Sequence, residues 1–178
     1  MMKTRLLVAT IILLSACTGV PQGITPVTEF DRDRYLGTWY EIARLDNRFE
    51  EGMSQVTANY SLNDDGSVRV LNRGYISAEE RWGEAEGKAK FVDESDIGHL
   101  KVSFFGPFYS SYVVFELADD YSYSFVTSRD KDYLWFLSRT PEVDETLTQH
   151  FIERAKALGF AYNDILFVDQ SQHSSNKE

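Results

Sequence analysis

The stretch Tyr35-Leu36-Gly37-Thr38-Trp39-Tyr40-Glu41-Ile42-Ala43-Arg44 determines how the rest of the chain must be arranged. Its bulky and β-branched residues predict a half-buried strand that begins at Gly37. Glycine lets the backbone pass close to a neighbour, and a tryptophan two residues later can fill the tapering end of a barrel. Trp39, Ala43 and Leu45 share one parity, which predicts that all three face the interior.

Seven further short runs alternate apolar and polar residues after this strand. Turn residues separate them, and the connections are too short for a helical crossover. The runs are Ser54 to Leu62, Ser67 to Ile76, Arg81 to Val92, His99 to Phe105, Tyr112 to Leu117, Tyr121 to Thr127 and Tyr133 to Ser138. The fold is therefore predicted to be all-β, an eight-stranded antiparallel up-and-down β-barrel whose interior holds one small ligand.

A single α-helix is predicted after the last barrel strand, with Thr140 as its cap and Gly159 as its stop. One apolar stripe runs along it and comprises Val143, Leu147, Phe151, Ala155 and Leu158. This stripe predicts that the helix packs on the outside of the barrel. Residues Ile165 to Val168 predict a short added strand.

Composition is consistent with one such domain. A chain of 178 residues that is 43% hydrophobic can bury a sizeable core. Its ten Tyr and twelve Phe favour strands over a helix bundle.

The first 16 residues have the organisation of a secretory signal. Lys3 and Arg5 precede the apolar run from Leu6 to Leu14, which is too short to span a bilayer as a mature helix. The sequence Leu14-Ser15-Ala16-Cys17 resembles a bacterial lipobox, which implies cleavage before Cys17 and diacylglycerol on its sulfur. Since Cys17 is the only cysteine, no intramolecular disulfide can form.

The predicted organisation has four parts. A lipoprotein signal peptide (1–16) is followed by a lipidated N-terminus and tether (17–29), a barrel domain with its C-terminal helix (30–170) and a flexible tail (171–178). Removal of the signal leaves 16 basic and 28 acidic residues, a formal charge of −12. Such a charge argues against a nucleic-acid partner.

Two later segments form a set of motifs with the first stretch. They are Arg129-Asp130-Lys131-Asp132-Tyr133-Leu134-Trp135 and Leu137-Ser138-Arg139-Thr140-Pro141. With Gly37 to Arg44 they resemble the three signature segments of the lipocalins. The resemblance covers residues 30 to 170, and its motif positions are Gly37, Trp39, Tyr40, Asp132, Tyr133 and Arg139. In that family an arginine stacks on the tryptophan at the closed end, a role that the resemblance assigns to Arg139 and Trp39.

The resemblance is strongest to the bacterial outer-membrane lipocalins, a group of lipoproteins related to apolipoprotein D. It implies a carrier or store of fatty acids or lysophospholipids that serves envelope maintenance under stress. The implied location is the outer membrane, through lipidated Cys17 and on its periplasmic face, since Asp does not follow this cysteine. A homodimer is compatible with the sequence.

Strand parity predicts which side chains line the cup. The predicted lining is Val56, Ala58, Val70, Val102, Phe104, Tyr112, Val114 and Phe125, with Arg73 and Tyr112 near a polar head group and Trp82 just below the rim. Three aromatic residues fall in the loops at the open end, namely Phe49, Phe108 and Tyr109. They indicate an entrance for apolar ligand or a contact with protein.

Two carboxylates interrupt apolar strands. Glu41 shares the inward parity of Trp39, whereas Arg44 has the opposite parity and is predicted to point outward. A buried Glu41 needs an Arg or Tyr partner or a ligand's polar group. An acid in the cup, Glu41 or Glu116, also keeps a lipid-modifying enzyme open as an alternative.

Other site chemistry is sparse. The three histidines, His99, His150 and His173, lie too far apart in sequence for a local metal motif, so we predict neither metal nor cofactor. The main prediction is accordingly a binding protein and no enzyme. The second alternative is an envelope interaction module whose barrel is filled by side chains.

Two departures from the family pattern concern the open end and the C-terminus. Ser110-Ser111 stands where relatives commonly have glycines, and the chain cannot form the disulfide that holds the C-terminal segment in many lipocalins.

Overall fold

The computed structural model describes residues 18 to 174; the predicted signal peptide, Cys17 and the last four residues lie outside this range. Its strands are β1 (Gly37–Leu45), β2 (Met53–Leu62), β3 (Val68–Ile76), β4 (Arg81–Phe91), β5 (His99–Phe105), β6 (Phe108–Leu117), β7 (Tyr123–Thr127), β8 (Leu134–Ser138) and β9 (Ile165–Phe167). Each of β1 to β7 pairs antiparallel with the next strand, β8 pairs with β1 to close the barrel, and β9 adds to the free end of β1. This closure confirms the predicted eight-stranded barrel.

Three helices accompany the sheet: α1 (Arg32–Tyr35), α2 (Glu145–Ala157) and α3 (Ser171–Ser174). Short 3₁₀ turns occupy Ser77–Glu79 and Tyr162–Asp164. The side chain of Asp144 accepts a 2.8 Å hydrogen bond from the Leu147 amide, so α2 begins later than the predicted cap at Thr140.

The outer surface of the barrel binds α2 through aromatic contacts, as the apolar stripe predicts. The ring of Phe151 lies 4.9 Å from that of Phe125 and 5.0 Å from that of Phe136, between ring centroids. On the same face Glu116 pairs with His150 and, at 2.6 Å, with Arg154 of α2. Glu116 therefore holds the helix to the outside of the barrel and lies away from its interior.

An irregularity in β1 reverses its two faces. The register against β8 shifts between Glu41 and Ala43, which is a β-bulge. Trp39 belongs to the inner apolar cluster, but Ala43 and Leu45 pack in the outer cluster beneath α2. Arg44 turns inward and is 1% exposed. The parity prediction is thus wrong beyond Glu41, because a bulge adds one residue to the period of two.

The predicted tether at 17–29 differs from the structure, since most of its described part packs on the barrel. The Ser111 hydroxyl donates a 2.7 Å hydrogen bond to the Gly19 carbonyl, near the open end. Ile24 is buried in the outer cluster, and Val27 is hydrogen-bonded to Val114 and Gly98 near the closed end. The segment descends the barrel wall because its apolar residues find partners there, and it then enters α1.

The predicted flexible tail is likewise ordered at its start. The Gln170 side chain donates 2.8 Å hydrogen bonds to the carbonyls of Glu41 and Val56. His173 packs edge-on to Tyr40, with 5.2 Å between ring centroids. Backbone and side-chain atoms of Gln55, which is 1% exposed, bind residues 169 to 173. Side-chain amides hold the C-terminal segment to β1 and β2.

Within residues 18 to 174, none of the helices combines the length and the apolar character that a membrane crossing requires.

Candidate ligand site in the barrel interior

The closed end is built around Trp39, which is fully buried. The Arg139 guanidinium lies 3.8 Å from the centroid of its ring, and the indole N–H donates a 2.9 Å hydrogen bond to the Tyr35 carbonyl. Gly37 has a φ of 96°, and a Cβ there would lie 3.4 Å from Nη1 of Arg139. Glycine is needed for the positive φ, whereas a Cβ would make only ordinary contact with the guanidinium.

A layer of tyrosines lies above this floor. The hydroxyl of Tyr112 shares hydrogen bonds of 2.8 Å with Tyr35 and 2.9 Å with Tyr60, and Tyr35 also bonds Ser124 at 3.0 Å. Burial raises the pKa of Tyr35 to about 12 and also raises the pKa values of Tyr60 and Tyr112. These phenols therefore stay neutral and form a buried hydrogen-bonding layer against Trp39 near the closed end.

The rest of the interior is lined largely by small and apolar residues. Ala58 pairs with Asn72, and Asn72 with Ala85, so all three share the inner face. Ala85 is nevertheless exposed to solvent, which shows that the cup is open at this height. Oδ1 of Asn72 is buried and has no hydrogen-bond partner among residues 18 to 174. It is an acceptor that a ligand hydroxyl could satisfy.

Glycines in the wall let large side chains lie flat against it. A Cβ at Gly87 would come within 2.9 Å of the Phe104 ring, and a Cβ at Gly74 within 3.2 Å of Val56. Side chains from neighbouring strands therefore fill the space that a Cβ would take at these two positions.

A charged network borders the upper cup. Arg44 donates a 2.8 Å hydrogen bond to Glu41 and a 2.7 Å hydrogen bond to the Glu50 carbonyl in the loop between β1 and β2. The Glu50 carboxylate accepts a 3.0 Å hydrogen bond from the Trp135 indole. Glu41 thus has the arginine partner that a buried carboxylate requires, and Arg44 also holds the loop over the opening.

Glu41 is nearly inaccessible to water, with 3% of its surface exposed. Burial and the neighbouring Glu50 carboxylate raise its pKa well above the usual value, although Arg44 acts in the opposite direction. The native protein therefore binds a proton at Glu41 more tightly than the unfolded chain does.

This pKa shift predicts a pH dependence of stability. Relative to the Glu41→Gln variant, the wild-type free energy of unfolding is expected to fall as pH rises from about 4.3, the unfolded pKa, toward the raised native pKa. In that window the native state holds more protons, so the slope approaches about −1.4 kcal/mol per pH unit. Urea unfolding of both proteins from about pH 4 to about pH 8 measures it. A difference that stays constant or rises would contradict the shift.

Seven of the ten predicted ligand residues lie on the inner face or beside it. Ala58, Val70 and Val114 belong to the inner apolar cluster, and Val102, Phe104 and Tyr112 pack against it. Val56 is buried next to the inward-facing Gly74.

The other three predicted ligand residues face outward, so those predictions are wrong. Phe125 packs beneath α2, where both faces of β7 are buried and hydrophobicity cannot distinguish them. Arg73 is paired with Glu84 at the surface and stacks at 4.2 Å on Trp82. Arg73 has the opposite parity to Val70, which points inward, so the alternation already argued against it.

The remaining motif residues do not join the closed end. Tyr40 lies on the outer face against His173. Asp132 is exposed in the loop between β7 and β8, where its amide donates to Asp130, and Tyr133 stacks on Trp135 with 5.7 Å between ring centroids.

Sequence reasoning missed several residues of the site. Tyr60 and Asn72 share the parity of Ala58 and Val70, so the alternation could have identified both. Tyr35 precedes the first strand and Arg44 follows the bulge. Strand alternation therefore does not predict which way either side chain points.

Comparisons with known proteins agree with this geometry. A family model described as a lipocalin-like domain matches residues 30 to 170. The chain is 52% identical over 170 residues to a protein named outer membrane lipoprotein Blc from Vibrio cholerae, covering 95% of this chain and 99% of that protein. The protein of that name from Escherichia coli strain K12 is 47% identical over 160 residues, covering 89% and 90%.

A solved structure shows the same architecture. Insecticyanin from the tobacco hornworm Manduca sexta superposes with a TM-score of 0.67 at 17% identity, covering 85% of this chain and 86% of its own. With the family model, the identities and the closed barrel in agreement, this chain belongs to the lipocalin family.

Proposed function

We propose that this protein stores or carries a fatty acid or lysophospholipid, with its acyl chain in the upper half of the barrel. The observation that carries the proposal is the two-part interior, a filled aromatic floor beneath an apolar cup that is open at Ala85. Burial of the chain contributes about 25 cal/mol per Å² of apolar surface removed from water.

The polar groups of the cup suit a lipid that carries hydroxyl or ester groups. Asn72 offers an unsatisfied acceptor, whereas the Tyr112 hydroxyl is already engaged by Tyr35 and Tyr60. Arg44 is 1% exposed and already paired with Glu41 and Asp46, so a head group would have to displace these partners to bind it. A mono-acyl lipid with its head toward the opening satisfies this pattern.

The proposed location follows from the relatives. Two relatives, 52% and 47% identical to this chain, are named outer membrane lipoproteins, and the motif ending in Cys17 agrees with that name. We assign this chain to the same membrane through acylated Cys17, with a role in envelope maintenance under stress.

Neither alternative function has equal support. Glu41 is engaged by Arg44 and Glu116 holds α2 outside the barrel, so neither carboxylate is placed as a free acid in the cup. The filled floor is consistent with a protein-interaction module. Such a module would not explain the open apolar cup above the floor.

A matched pair of tryptophan substitutions tests the lipid site. Val102 faces inward and its neighbour Lys101 outward on β5. In Val102→Trp the indole is expected to occupy the cup and weaken fatty-acid retention about a hundredfold or more, equivalent to the lost burial of several CH₂ groups. Lys101→Trp should retain lipid as the wild type does.

Native mass spectrometry after incubation with a mixed bacterial lipid extract measures this retention. One bound mono-acyl lipid per wild-type barrel, absent from Val102→Trp, supports the site. A wild-type barrel that stays empty in lipid excess, or equal retention by both variants, would contradict it and favour the interaction module.

A further inference from the structure

The connection between β5 and β6 exposes two aromatic side chains at the open end of the barrel. Phe105 and Phe108 are paired across Gly106-Pro107 and are 75% and 78% exposed. We call residues 105 to 108 the aromatic tip. Phe49, in the loop between β1 and β2 at the same end, is 56% exposed. Such exposed apolar groups in a protein of high charge indicate a contact surface.

The N-terminal segment begins beside this tip. Gly19 is hydrogen-bonded to Ser111, and Ser111 is three residues along β6 from Phe108, about 10 Å at the rise of a strand. Cys17 precedes Gly19 by two residues, which extended chain spans in about 7 Å. A lipid on Cys17 is therefore attached near the open end of the barrel, although the segment runs on to the closed end.

Charge around the tip is also suited to a membrane. The protein has 28 acidic residues, but none occurs from Ile97 to Phe115, and no charged residue of either sign occurs from Thr18 to Thr28. Both segments therefore lack the carboxylates that lipid phosphates would repel. The other loops of the open end carry seven acidic residues, so the surface without negative charge is confined to the tip and the N-terminal segment.

We propose that the aromatic tip inserts Phe105 and Phe108 into the bilayer surface beside the lipidated N-terminus, so that the mouth of the barrel faces the membrane. The inference rests on the proposed lipid anchor. The acyl chains and the aromatic pair are then two separate membrane attachments. Together they fix the orientation of the barrel as well as its attachment to the bilayer. Lipid can enter the cup from the bilayer without crossing water.

A thiol label at the tip tests this orientation in the mature lipoprotein. Acylation occupies the sulfur of Cys17, so Phe108→Cys supplies the one free thiol for a bimane fluorophore. The control is Asp64→Cys, in the turn between β2 and β3 at the closed end. In phosphatidylcholine vesicles, nitroxide-labelled lipid should quench most of the fluorescence at position 108, while aqueous iodide should quench only position 64.

A second variant separates docking from lipid binding. Phe105→Ser with Phe108→Ser should slow lipid uptake from vesicles about tenfold, because less of the tip partitions into the bilayer. Its retention of lipid added from solution should match the wild type. If the protein floats with vesicles but iodide quenches positions 64 and 108 equally, the proposed orientation is wrong, while the lipid anchor is still supported. If thiol labelling also detects a free sulfur at Cys17, the cysteine is not acylated. Both the proposed lipid anchor and this inference would then be wrong.

Discussion

Replacement of Arg44 by alanine is expected to lower the free energy of unfolding by about 3–5 kcal/mol. The guanidinium is 1% exposed, is paired with Glu41 at 2.8 Å and donates to the Glu50 carbonyl at 2.7 Å. Its removal leaves Glu41 buried without its hydrogen-bonding partner and releases the loop between β1 and β2. Urea unfolding at neutral pH measures the loss.

The control is a variant that removes both charges. Arg44→Met combined with Glu41→Leu replaces the pair by apolar groups and is expected to be within about 1–2 kcal/mol of the wild type, since the cost of burying two ions disappears with them. A single variant Arg44→Ala that loses less than about 1 kcal/mol would show that water reaches Glu41 and that the pair is not buried in solution.

Replacement of Trp39 by alanine is expected to cost about 3–5 kcal/mol, the range for deletion of a large buried aromatic side chain. The indole is 0% exposed, stacks against Arg139 and lies 4.8 Å from the Tyr35 ring. Its loss leaves a cavity at the closed end and removes a buried hydrogen bond to the Tyr35 carbonyl. Thermal and urea unfolding report the change.

Trp82 provides a matched control for this second experiment. Its ring lies on the outside of the barrel against Tyr75 and Arg73, so Trp82→Ala is expected to cost about 1 kcal/mol or less and to leave lipid retention unchanged. Equal losses for the two tryptophans would contradict the assignment of Trp39 as the plug of the closed end. Reduced lipid retention by Trp82→Ala would restore Trp82 to the ligand site.

The pattern of alternation predicts the strands well because each barrel strand has one buried and one wetter face. It locates Val102 and Phe104 on the inner face and Lys101 on the outer one. It fails at Phe125, since α2 covers the outside of β7 and makes both faces apolar. It fails again after Glu41, since a bulge changes the parity without changing the composition.

The sequence by itself determined the strand number and order and the outer helix, because these follow from local periodicity and short turns. The resemblance of its three motif segments indicated the family and the closed end at Gly37 and Trp39. Tertiary structure alone decided that Arg44 turns inward to Glu41, that Tyr35 joins the tyrosine layer, and that the N-terminal segment starts beside the aromatic tip. These features join residues through bulges and contacts between distant parts of the chain, and their energies depend on burial that no local pattern records.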